Sequence, residues 1–263
     1  MNRLFKSDGI VLKSIKLNES DKIVTIFTKD YGKIRAIAKG VRRIKSQFGS
    51  SLENLTMLKI LFYRGRSLNI VSQTEIIHSF FPQCKNLERY GWAVLSSEMV
   101  EKMSVEEDPN ETIYELLKTF LILLEDDENP LLLIESFKWK MLQILGYLPE
   151  LQKCIYCKKP LKKEKYYFFN LVDGGVVCPQ CRKRNDDNII EVSDYCFRLL
   201  KRIIDVDLVK THNKKVAQEG LDELVKITER YMSYHIQVEN LSKKFINTIT
   251  LMNKQSSNMP KIE

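Results

Sequence analysis

Long apolar runs are missing from this 263-residue sequence. The longest, FLILL at 120–124 and PLLLIESF at 130–137, fall far short of the roughly 20 residues that span a bilayer. Charge also arrives at once in MNRLFKSDG, where a secretion signal would need an apolar core. We therefore expect a folded, cytoplasmic, nucleoid-associated protein with no membrane anchor. Histidine is scarce: His78, His212 and His235 lie far apart, with no HxE pattern, and each reads as a surface or core-edge residue. GxxxxGK[ST], HExxH and GxSxG are all absent, so the common signatures of nucleotide hydrolysis, zinc proteolysis and serine hydrolysis are missing. The expectation is a protein that is not an enzyme. Its densest carboxylate cluster, VEEDPNE at 105–111, reads as a capped loop ahead of a helix.

Cysteine is also sparse, six in all, which makes its placement informative. Cys84 and Cys196 sit alone in helical patterns and read as small core residues. The other four form two CxxC pairs, CIYC at 154–157 and CPQC at 178–181. A chain kept in a reducing compartment does not rely on disulfides, so paired CxxC motifs point to metal. Zinc takes four soft ligands at tetrahedral corners, and each CxxC turn offers two thiolates while its amides hydrogen-bond the sulfurs. Between the pairs, KYYFFN and GVVC flank LVDGG, whose Asp173-Gly174 predicts a hairpin that returns the second pair beside the first. We expect one structural Zn²⁺ on Cys154, Cys157, Cys178 and Cys181, closed to water. A dithiol redox pair is the alternative.

Net charge is +8, but it is zoned. Residues 1–80 hold 15 Lys/Arg against 6 Asp/Glu, 81–152 hold 6 against 14, and 153–184 hold 9 against 2. Basic zones are where a polyanion would bind. In the cysteine zone, Lys158, Lys159, Lys162, Lys163, Lys165, Arg182, Lys183 and Arg184 partly offset the net negative charge of a four-thiolate zinc site, which weakens that zone as evidence for nucleic acid.

From Ile10 to about Ile77 the sequence alternates and is rich in Val, Ile, Thr and Phe, with breaks at 18–21, 29–33, 42–51 and 64–67. About five short strands follow, and a single sheet of that size must close, which predicts a Greek-key barrel of the OB type over residues 1–80. Beyond Pro82 the period changes to three-to-four in 86–103, 112–126 and 131–147, with Asn110 as a cap and Pro130 and Pro149 bracketing the third segment. Helices resume near Ser193, Val216 and Val238, and the polar end NKQSSNMPKIE is expected to be disordered. The expected fold is thus α+β and multi-domain: an OB barrel, then a helical domain over 81–263 that carries a zinc-ribbon-like module at 154–181.

On the barrel, YGKIRAIAKGVRRIKSQFGSS (31–51) places Lys33, Arg35 and Lys39 on one strand face and Ile34, Ala36 and Ala38 on the other, with only Ile37 interrupting the basic row. Arg42, Arg43 and Lys45 continue it into a loop, and Tyr31, Phe48, Phe62 and Tyr63 are nearby rings, although alternation would bury some of them. Basic side chains with aromatic rings are the recipe for single-stranded nucleic acid. A solvated strand face is the plainer reading. Nothing resembles a recognition helix, so sequence readout is not expected.

GIVLKSIKLNESDKIVTIFTKDYGKIRAIAKGVRR, LFYRGRSLNIVSQTEII and LGYLPELQKCIYC…DGGVVCPQC together resemble the bacterial recombination mediator RecO family over nearly the whole chain. The resemblance implies binding of single- and double-stranded DNA and annealing of complementary strands. It also implies loading of RecA recombinase onto strands coated by single-strand-binding protein, in company with RecR. Carried over, it makes Lys33, Arg35, Lys39, Arg42 and Arg43 the DNA contacts and the four paired cysteines the metal ligands. It further implies a seat for the acidic tail of single-strand-binding protein, for which Arg198, Lys201 and Arg202 are candidates. Lys158 stands where a glycine often follows the first CxxC, and Asn54 where a proline is common. Some members lack the cysteines, which fits a structural metal. The rivals are an RNA-binding or translation-associated protein, since phosphate tracking does not distinguish the sugars, and an adaptor that touches DNA incidentally.

Overall fold

The computed structural model describes residues 3–43, 45–48, 50–81, 86–182 and 186–236. Cys84, Lys183, Arg184, the segment near Val238 and the polar end lie outside them. The chain divides into two compact units, one built from the described residues up to Glu125 and the other from Asp126 onward.

Five strands make the first unit: β1 (Leu4–Lys16), β2 (Lys22–Thr28), β3 (Gly32–Ala38), β4 (Thr56–Tyr63) and β5 (Asn69–Ser79). They close into a barrel in the order β1-β2-β3-β5-β4, the Greek-key arrangement of an OB fold. β1 begins six residues earlier than the alternation from Ile10 indicates. Its first half pairs with β4 (Leu4↔Tyr63) and its second half with β2 (Lys16↔Lys22). A bulge between Val11 and Lys13 lets one strand serve both neighbours. The last seam is short: β3 and β5 run parallel for two pairs, Ala36↔Asn69 and Ile37↔Ile70. Val24, Ile26, Ile34, Ala36, Ala38, Leu58, Ile60 and Phe62 fill the interior.

Helices α1 (Leu87–Met103) and α2 (Glu111–Leu124) belong to the same unit, and α1 packs on β1 and β2. Asn110 caps α2 by accepting the Ile113 amide at 3.0 Å. The α1–α2 connection lies against the β2–β3 hairpin, where Glu107 N–H donates to the Lys33 carbonyl at 3.0 Å. Gly32, at φ +65°, faces the Asp108 carbonyl so closely that a Cβ would collide with it.

In the second unit, α3 (Pro130–Ile144), α4 (Asp194–Asp205) and α5 (Gln218–His235) pack around Trp139. Trp139 Nε1 donates to Thr228 Oγ1 at 2.9 Å and its ring stacks 5.3 Å from Tyr231. Beside the helices stands a small sheet of β6 (Tyr166–Asn170), β7 (Gly175–Val177) and β8 (Ile189–Ser193), in the order β7-β6-β8. Strands β6 and β7 form the expected hairpin, with Leu171–Gly174 as its turn and Gly174 at φ +67°. Strand β8 is not evident from the sequence, because Ser193 is both its last residue and the N-cap of α4, accepting from the Cys196 amide. Among the described residues, no helix is long and apolar enough to cross a membrane.

Gly32→Ala combines a left-handed backbone with a collision against Asp108, so we expect it to destabilise the barrel unit by about 2 kcal/mol or more. Chemical denaturation of the variant checks this.

Candidate nucleic-acid interface and metal centre

Strand alternation sorts β3 as the sequence predicts: Ile34, Ala36 and Ala38 are buried, Arg35 and Lys39 are exposed, and Lys33 and Ile37 are half-buried. The basic row is nevertheless not uniform. Lys33 Nζ donates to the carbonyls of Glu101 and Ser104, the latter at 2.6 Å, at the C-terminal end of α1. Those carbonyls have no helical partner and carry the negative end of the helix dipole. Burial pulls the Lys33 ammonium below its usual range, only partly opposed by Glu101 and Glu106. Arg35 reaches solvent with Glu106 3.8 Å away, and Lys29 pairs with Glu111 at 3.0 Å.

Beyond Ala38 the row continues with Asp21 as the carboxylate that faces Arg43. Lys39, Arg42, Arg43 and Lys45 are all exposed. Among the described residues, neither Lys39 nor Lys45 has an ion pair or side-chain hydrogen bond. The loop that carries them is held by the β1–β2 turn. Asp21 Oδ1 accepts the Gly40 amide at 2.8 Å, Arg42 N–H donates to the Ser20 carbonyl at 3.0 Å, and Arg42 Nη1 donates to the Asn18 carbonyl at 2.6 Å. Donation from the Gly40 amide, then from Asn18 and Ser20, with Arg43 adding its charge, brings the Asp21 carboxyl down to about 2. NESD at 18–21 is thus more than a strand break: it is the clamp that sets the basic loop, a role its turn composition does not reveal.

Two of the four candidate rings are buried, as the sequence allowed. Phe48 and Phe62 are buried in the barrel, and Tyr31 packs against that core edge-on to Phe5, 4.8 Å between centroids. Tyr63, at the far end of β4, accepts from Arg3 Nη1 at 2.9 Å. Strand alternation turns Phe62 inward, and the β3–β4 loop brings Phe48 into the same core. The histidines are separate, with His78 on Glu125, His212 on Asp126 and His235 on the Leu171 carbonyl. On α4, Arg198 and Arg202 are exposed and Lys201 is half-buried on one helical face. Arg198 pairs with Asp194 at 2.9 Å and Lys201 lies 5.8 Å from the Phe197 ring. Cys196, on the opposite side, is fully buried.

The four paired cysteines converge, with all their sulfurs within 4.8 Å of one another. Strand β7 brings this about. Ile155 N–H donates to the Val176 carbonyl and Val176 N–H to the Glu150 carbonyl, both at 3.0 Å, so the first CxxC hangs on the strand that runs into the second. The Cys178 amide points at Cys154 Sγ, 3.4 Å away. Tetrahedral bonds of about 2.3 Å separate sulfurs by about 3.8 Å, and Cys157 and Cys178 Sγ stand 3.7 Å apart. Burial pushes the Cys154 thiol up, but amides of Cys178, Cys157 and Tyr156 outweigh it and bring it to about 6. Cys181, hydrogen-bonded with Cys178, partly desolvated and facing the other sulfurs, is pushed up to about 12. Four thiols this close do not all ionise without a cation among them, so the donor set fits a divalent metal. Lys158 occupies the left-handed region at φ +61°, which is the reason a glycine suits that position.

Asp21 has its ordinary value near 3.8 when unfolded and about 2 when folded. Its contribution is therefore complete above pH ~4 and is lost as pH falls through ~2. The Gly40 amide chemical shift should titrate with a midpoint near 2; a midpoint near 3.8 would show that the clamp is absent.

The model for recombination protein O N terminal matches residues 1–80, and that for recombination protein O C terminal matches 84–244. A curated relative from Thermoanaerobacter sp., named DNA repair protein RecO, is 33% identical over 95% of this chain and 100% of its own length. One of the same name from Acetivibrio thermocellus is 30% identical over 95% of this chain and 98% of its own. A third, from Bifidobacterium adolescentis, is 36% identical over 66% of this chain and 72% of its own. Barrel, helical domain and cysteine module are thus matched along the length of the chain, which belongs to the recombination protein O family.

Proposed function

We propose that this chain is a DNA repair and recombination mediator that binds single- and double-stranded DNA through the barrel, without catalysing a reaction of its own. The observation that carries this is the exposed run Arg35, Lys39, Arg42, Arg43 and Lys45, whose loop is preset by Asp21 and in which Lys39 and Lys45 have no ion pair among the described residues. Such groups displace counterions from phosphates and hold two strands close. Base pairing then supplies the free energy of annealing, so no nucleotide hydrolysis is required. Lys33 acts differently, fastening α1 to the barrel. Family membership extends the reading to cooperation with RecR, to loading of RecA onto strands coated by single-strand-binding protein, and to a cytoplasmic location. The Arg198, Lys201 and Arg202 face of α4 is the proposed seat for that protein's acidic tail.

Cys154, Cys157, Cys178 and Cys181 would hold one Zn²⁺, which supplies folding free energy to the module and no open coordination position. Tyr231 extends that support. Its hydroxyl donates to the Tyr147 carbonyl at 3.1 Å and its ring meets Phe169 of β6 edge-on at 5.7 Å, tying the hairpin to α5.

Reversal of Arg35, Lys39 and Arg43 to Glu should abolish strand annealing while the melting temperature is retained. Lys39→Glu with Lys45→Glu, which breaks no contact among the described residues, should flatten the salt dependence of single-strand binding by about 0.7 per lost phosphate contact. Wild-type annealing by the triple variant would remove the barrel from the interface, and equal affinity for RNA of matched length would favour the RNA-binding reading.

Elemental analysis should find about one zinc per chain, and Cys154→Ser should lose both metal and solubility. Chelation should expose the β6 and β7 amides to hydrogen exchange before those of α3. A metal-free, stable wild-type protein would end the zinc assignment.

A further inference from the structure

Ile37 interrupts the basic row on β3, and the sheet register shows what it joins. On β1, β2, β3 and β5 the directly opposed residues are Ile15↔Ile23, Ile23↔Ile37 and Ile37↔Ile70. Opposed residues share a face. The interior holds Val24, Ile26, Ile34, Ala36 and Val71, so the four isoleucines stand on the outside. Ile15 is 44% exposed and the other three are half-buried. Strands about 4.8 Å apart make this an apolar strip about 14 Å long across four strands. Isolated surface isoleucines need no explanation, but four in one register row form a continuous patch.

Its flanks are cationic. The next row toward α1 is Lys13, Thr25 and Arg35, paired across β1, β2 and β3, with Lys13 3.7 Å from Glu101 and Arg35 3.8 Å from Glu106. On the other side, Lys39 follows Ile37 by two residues and the Asp21-clamped loop begins. The third row, Ile10 and Phe27, is wholly buried on the side where α1 packs. The open part of the face is therefore an apolar strip with exposed cations on both edges, Lys13 and Arg35 each near a carboxylate on one and Lys39 without an ion pair among the described residues on the other.

We infer that the Ile15, Ile23, Ile37 and Ile70 strip is a base-packing platform that selects single-stranded over double-stranded nucleic acid, the cations on either side holding the phosphates. Only an unpaired strand presents base faces to an aliphatic surface; in a duplex they are consumed by stacking. The strip takes the place of an aromatic platform: Phe48 and Phe62 lie in the barrel core, Tyr31 packs against it and Tyr63 stands at the far end of β4. This assignment rests on the barrel reading proposed above, and it adds a salt-independent part to the binding: phosphate contacts set the slope of log affinity against log salt, whereas apolar contacts shift the whole line.

The test uses the full chain carrying Ile23→Thr and Ile37→Thr, which keep β-branching. Binding to an oligothymidylate and to a duplex of equal length is measured over a salt series. The double variant should bind the oligothymidylate about tenfold more weakly at every salt concentration, with unchanged slope, and the duplex within about twofold of wild type. Ile37→Trp should bind the oligothymidylate more tightly, a gain that a folding defect does not produce. Undiminished single-strand affinity in the double variant overturns the platform, as does equal loss on both ligands. Intact oligothymidylate binding with lost capture of a purified protein partner also overturns it, and assigns the strip to that partner. If Arg35, Lys39 and Arg43 reversal abolishes binding while the Thr variants do not weaken it, the platform alone fails. If that reversal has no effect, the barrel reading itself fails.

Discussion

Barrel closure rests on the parity of β3. Ile34, Ala36 and Ala38 must face inward for β3 to meet β5 at its two-residue seam, and a slip of one residue would turn Arg35 and Ile37 into the core. Small alanines at two of the three inward positions let the wall close over Phe48 and Phe62. Everything that bears on ligand binding is the complement of that choice. The outward cations and isoleucines are where they are because the other set of side chains is buried.

Lysines show where a count of charge ceases to describe a surface. Lys33 and Arg35 are two residues apart on the same face, yet one ammonium is spent on the end of α1 and the other group reaches solvent. Lys140 repeats the pattern in the second unit, donating to the Ile204 carbonyl near the end of α4 while burial pulls it below its usual range. Neither contact is local in sequence: they span 71 and 64 residues. A positive residue count over 1–80 therefore overstates the cations available to a polyanion, and no pattern within that segment tells which ones are taken.

Legibility follows the range of the interaction. Strand alternation, the change of period after Pro82, the Asn110 cap and the paired CxxC turns are local, and each is visible in the sequence and present in the structure. Strand β8 is local too, but five residues ending in a helix cap carry too little alternation to register. The Asp21 clamp and the isoleucine strip depend on pairings between residues 8 to 33 apart, which only the tertiary structure supplies. Lys158 is intermediate: its departure from glycine is visible in the sequence, while the left-handed backbone that explains it is not.

The acidic segment 105–111 also lies on the barrel face. Glu107 N–H holds it to the β3 backbone at Lys33, which sets Glu106 near Arg35 and Glu111 on Lys29. Exposed pairs of this kind contribute about 0 to 1 kcal/mol, so a phosphate can displace Glu106 from Arg35 at little cost. The effect is a gradient along this face: cations engaged by α1 and the acidic segment at the Lys33 end, and Lys39 and Lys45 without an ion pair among the described residues at the other. On the proposed reading, a strand arriving by electrostatic attraction meets the Lys39 end first. In that proposal the clamped loop holding Arg42, Arg43 and Lys45 is the point of entry, and Arg35, shared with Glu106, a later contact along the same face.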